Sequence, residues 1–141
     1  FSEGDRKIGT LKYDRVYYVL ADAHNSPVWR MTCHDTYVAV ADPRGDELFR
    51  IVSRPGGVDL VDAQGPLMSS IVVFGDGASL LSSDGTLLAY TVATPSTMEL
   101  RTPERTLIRV PSRSVAPAGL TAAALPSFGR LERAALMIMV K

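Results

Sequence analysis

An aspartate that opens a turn recurs at Asp22, Asp42, Asp62 and Asp84, with spacings of 20, 20 and 22 residues. A period of that length marks a repeat architecture, and it constrains the fold more than any other feature of the chain. The copies occupy residues 19–31, 38–51, 58–71 and, shortened, 78–90. Each reads as a short apolar strand, a turn that begins at Asp and relaxes at Gly or Asn, and a second apolar strand. The Asp side chain accepts from backbone N–H groups ahead of it, while Gly and Asn tolerate the positive φ such a turn needs. Val, Ile, Leu, Tyr and Phe around the turns suit a half-buried pleated surface. Four consecutive hairpins are therefore expected. A lone hairpin is marginal in water, so the strands must join one sheet, sandwich or barrel.

The bridging segments 52–57 and 72–77 end in glycine-rich turns, which favours antiparallel connection. Beyond Val92, four prolines (Pro95, Pro103, Pro111 and Pro117) limit regular ladders, yet residues 106–110 still read as another strand, at an edge or next to a bulge. Residues 114–125 are small and apolar without clear periodicity. Phe128, Leu131, Ala134, Ala135, Ile138 and Met139 follow helical spacing, and the spacing predicts a helix over 127–140 with Ser127 as cap. Residues 134–140 are apolar on every side, so the helix is expected inside the β-structure. Seven apolar residues fall far short of the roughly 20 needed to span a bilayer.

A mainly β fold thus emerges: antiparallel hairpin repeats joined in one sheet, sandwich or barrel, with a C-terminal hydrophobic helix expected inside it. Residues 1–15 read as an N-terminal extension or first strand and residues 16–141 as one domain. The 46% hydrophobic content supplies a core. Fifteen basic residues balance fifteen acidic ones, which argues against nucleic acid and leaves only local patches for a charged partner. Cys33 is the only cysteine, so no intrachain disulfide forms and a reducing, intracellular location, cytoplasmic or peripheral to a membrane, is expected. The N-terminus has no apolar signal stretch.

Strand, Asp-x-x-Gly turn and strand in series, followed by an apolar helix, resembles the tubby C-terminal-like superfamily, in particular its LURP-one-related and phospholipid scramblase branch. The stretches that carry the resemblance are VADPRGDELFRI (40–51), LVDAQGPL (60–67) and the helix LERAALMIMV (131–140). The resemblance covers about residues 16–141 and implies a closed antiparallel barrel around a central helix. The chain is short for that barrel, which leaves open whether it closes within one chain. Functions in the superfamily diverge: tubby resembles a phosphoinositide reader, and scramblases are associated with lipid and calcium. Fold analogy therefore does not select an activity.

Arg101, Arg105, Arg109 and Arg113 recur every four residues and, on one extended strand, would share a face. Such a stripe suits anionic phospholipid or phosphoinositide head groups or an acidic partner protein, because Arg presents a planar fork to phosphate and carboxylate. The alternative is a charged edge strand that resists aggregation. Cys33, His34 and Asp35 carry ligand-type side chains, but no second cluster completes a metal site. A Cys33 nucleophile paired with His24 or His34 lacks any spacing that supplies geometry. The lone Asp of each turn lacks the alternating oxygen ligands of a calcium loop, and Gly75-Asp76-Gly77 and Gly56-Gly57 lack the Lys and helix of a phosphate loop. Trp29, Tyr37, Phe49, Phe74 and Tyr90, about one per hairpin, read as core rather than as a stacking platform. The expected function is a non-catalytic protein-interaction or scaffold module without cofactor or metal, with peripheral binding of anionic phospholipid as the alternative.

Overall fold

The computed structural model describes residues 1–14 and 16–140. A small hairpin, β1 (Ser2–Glu3) and β2 (Arg6–Lys7), precedes eleven strands that form one antiparallel sheet in chain order. These are β3 (Gly9–Asp14), β4 (Tyr17–Asp22), β5 (Pro27–Cys33), β6 (Tyr37–Ala41), β7 (Glu47–Arg54), β8 (Gly57–Asp62), β9 (Leu67–Phe74), β10 (Gly77–Ser82), β11 (Leu87–Ala93), β12 (Thr97–Arg101) and β13 (Thr106–Pro111). After the sheet come α1 (Pro117–Thr121), a 3₁₀ turn (Ala122–Ala124) and α2 (Arg130–Met139). The ladder starts at β3 and ends at β13, which are its two edges among the described residues. β3 places residues 9–14 of the expected N-terminal extension in the sheet as its first strand.

The repeat is more regular than the aspartates suggest. Asp22 N–H donates to the Ser26 carbonyl at 2.9 Å and Asn25 N–H to the Asp22 carbonyl at 3.0 Å. The same two bonds recur from Asp42 to Asp46 and Gly45, from Asp62 to Pro66 and Gly65, and from Ser82 to Thr86 and Gly85. Asn25, Gly45, Gly65 and Gly85 all have positive φ, between 62° and 107°. These are type I turns closed by a left-handed residue, a common three-residue hairpin connection. The fourth copy is therefore anchored at Ser82, and the period is an even 20. A fifth copy follows at Thr102, whose N–H donates to the Arg105 carbonyl at 2.8 Å and whose Oγ1 accepts from Glu104 N–H at 3.3 Å. One bulge sits in each first strand, after Leu20, Val40, Leu60, Leu80 and Leu100.

Those five residues are fully buried and form a row across the inner face of the sheet. The second strands contribute Trp29, Phe49, Ser69 and Ala89, also buried. Bulk falls along that row for a reason. Trp29 and Phe49 meet Phe128 at centroid distances of 5.6 and 5.2 Å, whereas α1 packs on β9, β10 and β11, where Ser69, Ala78, Ala89 and Thr91 leave room. Interior packing leaves few voids, so large and small residues must complement the helices that cover them. Two buried hydroxyls between the sheet and α1 are bonded: Thr91 Oγ1 accepts from Ala78 N–H at 3.0 Å, and Thr121 Oγ1 donates to the Ala118 carbonyl at 2.7 Å.

The interior filling is divided between two helices. Ala118, Gly119, Leu120 and Thr121 of α1 are buried, and this helix falls in the stretch that shows no periodicity. In α2 only Ala135 and Leu136 are buried, joined by Val140 just beyond, while Ile138 is 47% exposed. The expected all-round burial of residues 134–140 is thus corrected: one side of α2 faces inward and the other is open. The helix starts at Arg130 with Gly129 as N-cap and no side-chain cap, so Ser127 does not cap it. No helix among the described residues is long and apolar enough to cross a membrane.

Candidate functional site

The four arginines do not share one strand. Arg101 closes β12, Arg105 sits in the following turn, Arg109 lies on β13, and Arg113 follows β13 with φ 65°. The turn at Thr102 reverses the chain between the first and third of them, which undoes the single-face spacing. Arg101 and Arg109 instead converge on Glu99, outward-facing on β12. Arg101 Nη2 donates to Glu99 Oε2 at 2.9 Å and Arg109 Nη2 to Oε1 at 3.0 Å. Glu99 is buried beneath them, and Arg101 first and Arg109 next hold its carboxyl below the usual value. The cluster is a clamp across β12 and β13 that carries a surplus of one positive charge, with a carboxylate at its centre where an anion would have to sit.

The remaining chemistry-bearing residues are dispersed. Cys33 is exposed and unpaired. His34 stacks on Tyr37 at 4.4 Å, and Arg50 lies over that Tyr37 ring at 4.6 Å while donating through Nε to Glu47. His24 N–H donates to the turn aspartate Asp22 at 2.9 Å. Asp84 accepts from Ser82 Oγ and from Thr86 N–H at 3.0 Å, and these bonds hold its carboxyl down at about 2. Among the described residues no three His, Cys, Asp or Glu side chains gather as a metal site. Of the five aromatics, Trp29 and Phe49 are core, Tyr37 and Tyr90 are half-buried, and Phe74 is exposed at the end of β9.

Two cavities stand open, and one of them is apolar. Among the described residues, a groove of about 610 Å³ is lined by Phe1, Val115, Ala116, Met137, Ile138 and Val140, with Ser114 as the one polar side chain. Phe1 is placed by its own backbone, its carbonyl accepting from Ile8 N–H at 3.0 Å and its nitrogen donating to the Gly9 carbonyl at 2.6 Å. The groove therefore lies between the start of the β3 edge and the segment that leaves the β13 edge, with α2 as its floor. A second cavity, about 800 Å³, also borders that segment and is lined by Gly75, Asp76, Thr94, Ser112, Arg113 and Pro117. Sequence reading singled out Arg113 but neither cavity. The only signal for the groove was the run 134–140, too apolar for one buried face to use up.

Comparison with protein-family models, with curated proteins and with solved structures finds no match for this chain.

Proposed function

We propose that this chain is a non-catalytic protein-interaction module, a scaffold that holds an apolar segment of a partner protein in the groove between α2 and residues 114–116. The open groove is the observation that carries the reading. Large apolar side chains gathered at one accessible surface mark binding sites more often than chance exposure does. Kinship with the tubby C-terminal-like superfamily and closure of the sheet into a barrel belong to the same proposal. They are supported by the unbroken strand order and by inner-face residues of successive strands that share one core with α1 and α2. Closure between β3 and β13 would appear as slow amide exchange along both edge strands. An exposed, unpaired Cys33 suits a reducing compartment. The reading as a binder of anionic head groups loses support, because two of the four arginines are committed to Glu99.

The experiment is affinity capture from an extract of the source cells with wild type and Ile138→Lys side by side, followed by reconstitution with the purified captured protein. The proposal predicts a partner that binds wild type and not the variant. An identical set of captured proteins for both would overturn it.

A further inference from the structure

From the two cavities that border residues 112–117, we infer that the partner segment carries an apolar anchor and, within about six residues of it, one acidic and one basic side chain. The inference rests on the groove being the binding surface and names what it recognises. Ser114, Val115 and Ala116 wall the apolar groove, while Ser112, Arg113 and Pro117 wall the second cavity. One short segment therefore lines both sites. Six residues span at most about 20 Å, so one extended peptide of similar length reaches both.

The second cavity supplies the charge requirement. Arg113 and Asp76 both line it, both are exposed, and neither side chain makes a hydrogen bond or ion pair with any described residue, including each other. Every other arginine that the sequence placed in the stripe with a carboxylate in reach, Arg101 and Arg109, has taken it. Arg113 is also held in the left-handed region at φ 65°, a conformation uncommon for a residue other than Gly, Asn or Asp. Opposite charges left unpaired in one cavity complement a ligand that brings both signs. A purely anionic head group would meet Asp76, and a purely cationic one Arg113. Complementarity of this kind sets specificity and register more than affinity, whereas the apolar anchor sets affinity.

The test uses fluorescently labelled ten-residue peptides with a block of three large apolar residues and, beyond a short spacer, Glu and Lys in either order. Controls carry alanines in the block or glutamines for the charges. Binding is read by anisotropy against wild type, Ile138→Lys, Arg113→Asp, Asp76→Arg and the double reversal, each with its melting curve. Asp is chosen at 113 because it tolerates left-handed backbone. The inference predicts that one charge order binds best. Each single reversal weakens that peptide by roughly threefold to fivefold, and the double reversal exchanges the preferred order. Ile138→Lys costs about tenfold or more. Binding that depends on Ile138 but ignores both charges would overturn this inference and leave the interaction reading standing. Binding of no peptide, or of lysolipid monomers in place of peptides, would overturn both.

Discussion

Gly119 of α1 lies so close to α2 that a Cβ built on it would fall 2.5 Å from the Met137 carbonyl oxygen. The second nearest atom, the Val140 carbonyl oxygen at 3.2 Å, is backbone as well, so neither neighbour can rotate aside. This contact fixes how deep α2 sits and hence which of its faces is left for a partner.

Gly119→Ala should therefore force the two helices apart. Overpacking of a filled core costs about 1–3 kcal/mol, which lowers the melting temperature by several degrees in a chain of this size. A melt that matches wild type would contradict the packing described.

The five turns should respond alike, although their anchors differ. Asp42 Oδ1 accepts from Arg44 N–H at 2.9 Å and Asp46 N–H at 3.0 Å, and Thr102 Oγ1 accepts from Glu104 and Arg105. Asp42→Ala and Thr102→Ala should each cost about 1 kcal/mol, the usual net worth of such bonds. Denaturant melts check this. A cost at Asp42 with none at Thr102 would remove the fifth copy from the repeat.

Acid should weaken the fold through Asp84 and Glu99. Both carboxyls are held below their ordinary values, Asp84 by Ser82 and Thr86 and Glu99 by Arg101 and Arg109. A depressed folded value means that the unfolded chain binds protons first. The stabilisation is thus complete above about pH 4 and is lost as pH falls toward about 2 for Asp84. Melting temperature followed from pH 6 to 2 should drop over that window, and Asp84→Asn should flatten part of the drop. An unchanged acid limb in Asp84→Asn would contradict the assignment.

Much of the sheet was legible because its period is written twice, in turn chemistry and in alternation. Asp22, Asp42 and Asp62 advertise the turn, and the residues around them alternate as a half-buried strand must. The fourth anchor was misread because Ser82 does the backbone capping while Asp84, two residues on, carries the more conspicuous side chain. The fifth was hidden by Thr102 in place of Asp and by a turn one residue shorter. α1 left no trace because a short helix buried on all sides has no amphipathic stripe, and its Ala, Gly and Thr are chosen for fit rather than for propensity. The four-residue spacing of the arginines was real but lay across a turn, where period-two reasoning fails. In α2, Leu136 and Ile138 are equally apolar, and only the tertiary arrangement decides that one is core and the other surface.

That last distinction underlies the functional reading, and thermal unfolding of purified Ile138→Asp beside Leu136→Asp tests it most directly. Leu136 is fully buried, so an unpaired charge there should leave no cooperative melt, and even Leu136→Ala should cost about 2–5 kcal/mol. Ile138→Asp should fold and melt within about 1 kcal/mol of wild type, as surface substitutions do. If Ile138→Asp also fails to fold, that side of α2 is interior and there is no open groove for a partner to enter.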